Sequence, residues 1–102
     1  MKIAIDVMGG DNAPLAPICG GVMAAKAYGE EILLVGQQDT IHRILKEQGA
    51  ENVNGITVIH APDVVDMHDD PATVLRQKPE SSMAVALKLV KDGKADAIVS
   101  AG

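Results

Sequence analysis

Two segments of the 102-residue sequence carry residue types and spacings that could do chemistry. The first is the turn Gly9-Gly10-Asp11-Asn12-Ala13-Pro14, which directly follows a short apolar run. Its glycines let backbone approach a ligand closely, and Asp11 and Asn12 can cap the next helix or orient a substrate group; the same residues also make a sound strand-to-helix turn with no ligand at all. The second is Arg76-Gln77-Lys78-Pro79-Glu80-Ser81-Ser82-Met83, where two cations precede a helix start and two hydroxyls. A guanidinium fork, an ammonium point charge and the partial positive charge of a helix N-terminus together suit an oxyanion such as phosphate. Without a ligand, the segment reads as a solvated loop closed by a serine cap.

Other candidates carry less. Asp6 interrupts an apolar strand, where a carboxylate is costly unless hydrogen-bonded. It either reaches a crevice at the strand end or binds backbone amides of a neighbouring turn. His60, Asp63, Asp66, His68, Asp69 and Asp70 form an acidic, histidine-bearing stretch, but their spacing matches neither a calcium loop nor a zinc helix, so no metal is expected there. There is no three-glycine dinucleotide fingerprint, P-loop, nucleophile elbow or paired-cysteine motif. The single cysteine, Cys19, excludes an internal disulfide and reads as a small core residue within a helix.

The elements that must position these residues follow from periodicity. Ile3 to Met8, Ile32 to Val35, Ile56 to Ile59 and Ala97 to Val99 read as strands. Between them, one helix is expected to run from an Asn12 cap to Gly29 with Ile18, Val22 and Ala25 on one face. Gly20 and Gly21 within it are explained by close approach to a sheet. A second is expected to start at Asp39 and carry Ile41, Ile44 and Leu45, stopping at Gly49. A third is expected to start at Ser81 or Ser82, carry Met83, Ala86, Leu87 and Val90 and stop by Gly93, with at most a short helix from Ala72 to Leu75 before it.

Strands alternating with helices imply right-handed βαβ units, hence an α/β fold with a mainly parallel sheet between helical layers. In such sheets ligands bind outside the carboxyl ends of the strands where strand order reverses, and strand one usually borders that point. Hydrophobic residues make up 47% of the chain, enough for one core in one domain, with no Phe or Trp and a single tyrosine, Tyr28. Nine Lys+Arg against fourteen Asp+Glu give a net charge of -5, so nucleic acid is not an expected partner. No window approaches the roughly 18 consecutive apolar residues a spanning helix needs.

The opening run from Ile3 through Asp6, Gly9-Gly10-Asp11-Asn12 and Pro14, the later Ser81-Ser82-Met83 and the closing Val99-Ser100-Ala101-Gly102 closely resemble the PlsX family of phosphate acyltransferases, in order and at family-like spacing. The resemblance implies a three-layer α/β/α architecture similar to the isocitrate/isopropylmalate dehydrogenase group. On it, residues 1–102 form the N-terminal part of a single catalytic domain. It also implies transfer of a fatty acyl group from acyl carrier protein to inorganic phosphate, giving acyl phosphate for phospholipid synthesis. No bound cofactor is implied. Homodimers, a cytoplasmic location and peripheral membrane association are. Family members run on through Asn-Thr-Gly, so the acyl channel and carrier-protein contacts are expected outside this portion, which should be inactive alone. Within it, Arg76, Lys78, Ser81 and Ser82 are expected to help hold phosphate, with Gly9, Gly10, Asn12 and Gly102 lining the same crevice and Asp11 orienting the reactants. The competing readings are a nucleotide- or anion-binding regulatory module of Rossmann-like fold and a structural fragment with no ligand site.

Overall fold

All four apolar runs become strands in the computed structural model, which describes residues 1–9, 12–63 and 76–100. The elements are β1 (Lys2–Asp6), α1 (Leu15–Tyr28), β2 (Glu31–Gly36), α2 (Gln38–Glu47), β3 (Ile56–His60), α3 (Ser82–Lys91) and β4 (Ala97–Ser100). The strands form one parallel sheet in the order β3-β2-β1-β4, with Ile5 opposite both Leu34 and Val99, and Asp6 opposite Val35 and Ser100. The chain moves outward from β1 through β2 to β3, then returns to add β4 on the other side of β1. Strand order therefore reverses at β1.

Alternation along the strands divides the core into two layers. Ile5, Val7, Ile32 and Leu34 pack with Ile18 and Ala25 of α1 and Ile41, Ile44 and Leu45 of α2. Ala4 and Val35 face the other way, onto Ala86 of α3. A three-layer α/β/α arrangement is what results, because right-handed crossovers running in opposite directions must place their helices on opposite faces.

Local starts and stops differ from the sequence pattern where backbone chemistry supplies an alternative. Asn12 does not cap α1 with its side chain: Pro14 is the N-cap with no side-chain bond, and Asn12 contributes its carbonyl to the Ala16 amide at 3.1 Å. Pro14 and Pro17 have no N–H to satisfy, which reduces the need for a cap. Asp39 lies in the first turn of α2 rather than at its cap; Gln37 holds that position, and the Gln38 N–H donates to His60 Nδ1 at 3.2 Å. An acidic side chain in that turn still complements the helix dipole. At the other end of α1, Gly29 takes the left-handed conformation at φ 65°, as a helix-terminating glycine should.

The inward stripe of α3 is Ser82, Val85, Ala86, Leu89 and Val90; Leu87 stays 37% exposed, contrary to the sequence pattern. Ser82 at the head of this stripe is bonded to Asp6 of β1, and Val85, Ala86, Leu89 and Val90 pack onto the sheet on the same side. Cys19 is half-buried rather than enclosed in the core. The expected short helix from Ala72 to Leu75 lies outside the described residues.

The adjacent glycines of α1 separate by environment. A Cβ on Gly21 would stand 2.9 Å from Leu34 Cδ2 and 3.2 Å from both Ile32 Cγ2 and Ile5 Cδ1, whereas one on Gly20 would meet nothing within 4 Å. Close approach to the sheet thus accounts for Gly21 and not for Gly20. Gly20→Ala should stabilise by about 0.5–1 kcal/mol through helix propensity. Overpacking at Gly21→Ala should outweigh the same gain and leave a net loss of about 1 kcal/mol. Urea midpoints of the two variants in the complete protein check the opposite signs.

Candidate functional site

Asp6 ends β1 at the place where strand order reverses, and it is only 3% exposed. Three donors converge on its carboxylate. Ser82 Oγ, from the first turn of α3, donates to Oδ1; the Met8 N–H donates to the same oxygen at 3.1 Å; Ser100 Oγ, at the end of β4, donates to Oδ2 at 2.9 Å. One buried carboxylate therefore ties β1, β4, α3 and the turn after β1 together. Burial of a charge is tolerable only with such donors in place.

Ser81, fully buried, is the N-cap of α3, and its hydroxyl accepts the Ala84 N–H at 3.2 Å. Its backbone is held as well, since its own N–H donates to the Lys78 carbonyl at 3.1 Å and it pairs with Asp63 in an isolated parallel bridge. The hydroxyls of Ser81 and Ser82 are thus both bonded within the protein, one as a cap and one as a tether.

Asp6 and Ser100 form the polar rim of a cleft of about 590 Å³, together with Gly9 and Asn12. Its walls are apolar: Ile5 and Val99 from the sheet, Pro17 and Gly20 from α1. Ligand pockets commonly have this size and this combination of apolar wall and few polar groups. Of the residues expected from the sequence, Gly9 and Asn12 reach this rim, and Ser82 joins it through Asp6. Arg76 is exposed and Lys78 half-buried, and neither lines the cleft. Gly10, Asp11 and Gly102 lie outside the described residues.

From the sequence, Asp6 stays open between structure and crevice, and Ser100 has no role of its own. The available signal was the unpaired carboxylate in an apolar strand. Both alternatives for Asp6 hold in part: it accepts one backbone amide and also borders the cleft. In the acidic stretch, His60 Nδ1 accepts from the start of α2, and the Asp63 N–H donates to the Glu80 carbonyl at 3.1 Å. Asp66, His68, Asp69 and Asp70 lie outside the described residues. Among the described residues no group of three or more His, Cys, Asp or Glu could hold a metal ion, and no helix is long and apolar enough to cross a membrane.

Comparison with known proteins places the sequence in a family. The model of the family described as "Fatty acid synthesis protein" matches residues 1–102, the whole of the chain. The chain belongs to that family. Among similar curated proteins, all three of the following are called phosphate acyltransferase. The protein of Desulforamulus reducens is 48% identical over 103 aligned residues, covering all of this chain and 30% of the relative. That of Aquifex aeolicus is 47% identical over 102 residues, again covering 30% of its length. That of Herpetosiphon aurantiacus is 42% identical over 102 residues and is covered to 27%. The chain thus spans less than a third of the length of these relatives.

Proposed function

We propose that this chain is part of a phosphate acyltransferase that moves a fatty acyl group from acyl carrier protein to inorganic phosphate, releasing the carrier thiol and forming acyl phosphate for phospholipid synthesis. The observation that carries the reading is the position of the polar rim: Asp6, Ser100, Gly9 and Asn12 meet at the strand-order reversal, at the head of an apolar cleft. A site for this reaction needs an anion next to a thioester carbonyl, with an apolar surface for the chain behind it. The relatives' shared name supports the same reading.

The chemistry asks little of acid or base. Phosphate is substantially ionised near neutral pH, and a thiolate, with a parent thiol pKa of about 8.5, leaves readily. A phosphate oxygen attacks the thioester carbon, the tetrahedral oxyanion forms, and the C–S bond breaks as the carbonyl returns. Alignment of the two reactants and donors aimed at the oxyanion therefore account for most of the rate. The start of α3 supplies oriented backbone dipoles at this edge of the sheet, and Arg76 and Lys78 bring positive charge on the segment leading into it. Asp11 and Gly102 are proposed to complete the crevice, Asp11 as an orienting group. The complete protein is proposed to act as a cytoplasmic homodimer at the membrane surface, with an isocitrate dehydrogenase-like fold.

Incubating the complete protein with acyl-carrier protein should release thiol only when inorganic phosphate is added. Release without phosphate, or none with it, would remove the reading. In the same assay Arg76→Ala should raise the phosphate concentration for half-maximal rate about tenfold or more, while leaving that for the acyl carrier nearly unchanged. An unaltered phosphate requirement would clear Arg76 of the role.

A further inference from the structure

The cleft beside α1 changes polarity along its length. Its polar side chains, Asp6, Asn12 and Ser100, stand toward the carboxyl end of the sheet, whereas Ile3, Ile32 and Ala24 lie toward the other end. Among the described residues, no charged or hydrogen-bonding side chain lines the stretch below the rim. A molecule with a polar head and an aliphatic tail is complementary to that gradient, head at the rim and tail toward Ile3.

On the helix side, the wall is the row Ala16, Gly20 and Ala24, whose members follow one another at four-residue intervals, about 6 Å apart along the axis. The one charged residue of α1, Lys26, does not line the cleft. Gly20 is the informative member of the row. It is not among the glycines with positive φ, and a Cβ there would meet nothing within 4 Å. Neither its backbone conformation nor packing against the described residues calls for a glycine, and a glycine inside a helix forfeits helix propensity. Gly21 next to it differs, because Leu34, Ile32 and Ile5 occupy the space its side chain would need. What the bare position at Gly20 does provide is room in the cleft wall.

We propose that Gly20 is a specificity-determining residue, and that the row Ala16, Gly20 and Ala24 is a ruler along which the acyl chain lies. The thioester stands at the polar rim and the chain runs down the helix, passing Ala16, then Gly20, then Ala24. A larger side chain on the row turns out into water the methylenes that would lie beyond it. Each methylene so displaced lowers affinity about fourfold. The inference rests on the phosphate-transfer reading and adds where the chain lies and which position limits its length.

The test uses the complete protein, unaltered and as Gly20→Ala, Gly20→Leu and Ala24→Leu. Calorimetric titration with hexyl, decyl and tetradecyl phosphate reads chain binding without turnover; thiol release from the matching acyl carriers reads kcat/KM. The unaltered protein should bind decyl phosphate at least tenfold more tightly than hexyl phosphate. Gly20→Leu should cut that ratio at least tenfold, in binding and in kcat/KM alike, and Ala24→Leu should act on the tetradecyl-to-decyl ratio instead. Gly20→Ala, which gains helix propensity and so keeps the fold, should cut the decyl-to-hexyl ratio about fourfold, the worth of one methylene. Equal affinity of the unaltered protein for all three alkyl phosphates would overturn the inference without any variant. So would an unchanged ratio in the folded Gly20 variants, whether from no loss or from equal loss at every length. Thiol release without phosphate would instead defeat the transfer reading, and the titrations would still decide the ruler.

Discussion

Replacing Asp6 with alanine in the complete protein should cost about 2–4 kcal/mol of stability and lower phosphate-dependent acyl transfer about a hundredfold. The loss follows from what the carboxylate leaves behind. The Ser82 hydroxyl, itself on a residue only 2% exposed, the Met8 N–H and the Ser100 hydroxyl all lose their acceptor at once. Buried donors left without a partner cost about 1–3 kcal/mol each, and relief from burying a charge offsets part of the sum. Because the three donors belong to α3, the turn after β1 and the end of β4, the rim of the cleft loosens as well. Asp6→Asn, which keeps an acceptor at Oδ1, should lose distinctly less. Urea unfolding of both variants measures the stability order; an Asp6→Ala midpoint equal to that of the unaltered protein would mean that the tether contributes nothing.

Leu34→Ala should be of the same size or larger, about 3–5 kcal/mol, and for a different reason. Leu34 is fully buried in β2, flanked by β1 and β3, and forms part of the core beneath α1. Its Cδ2 methyl occupies the space that the missing side chain of Gly21 leaves open. Truncation removes packing between strand and helix that the helix backbone, held by its own hydrogen bonds, cannot move in to replace. A cavity of that kind adds to the lost transfer energy. Placing a methyl back from the other side, as Gly21→Ala in the Leu34→Ala background, should recover part of the loss, although Gly21→Ala alone is destabilising. A double-mutant cycle on urea midpoints reads the coupling, and simple additivity would contradict this account of the contact.

Much of the architecture was legible because it is local. Short apolar runs marked each strand, with glycine closing those of β1 and β2, and the pattern of Ile41, Ile44 and Leu45 marked the buried face of α2. Gly21 announced a close helix–sheet approach, although Gly20, one residue earlier, shows that a glycine pair need not have one cause. What escaped depends on partners distant in sequence. Ser82 and Asp6 are 76 residues apart, and no periodicity reveals that one hydroxyl will bind the other's carboxylate. That bond holds Ser82 at the head of the inward stripe, on the face of α3 opposite to Leu87, which turns outward. The cap of α2 was hidden for a similar reason, since His60 reaches it from the end of a neighbouring strand. Strand order also escaped, because the choice of edge for β4 is made by tertiary packing. It is the choice that brings Ser100 beside Asp6.

The most direct test of the account follows the oxygen atoms. The complete protein, incubated with acyl-carrier protein and phosphate labelled with heavy oxygen, should yield acyl phosphate whose bridging oxygen comes from the labelled phosphate, mole for mole with the carrier thiol. Free fatty acid carrying solvent oxygen, with all the label still in inorganic phosphate, would contradict it.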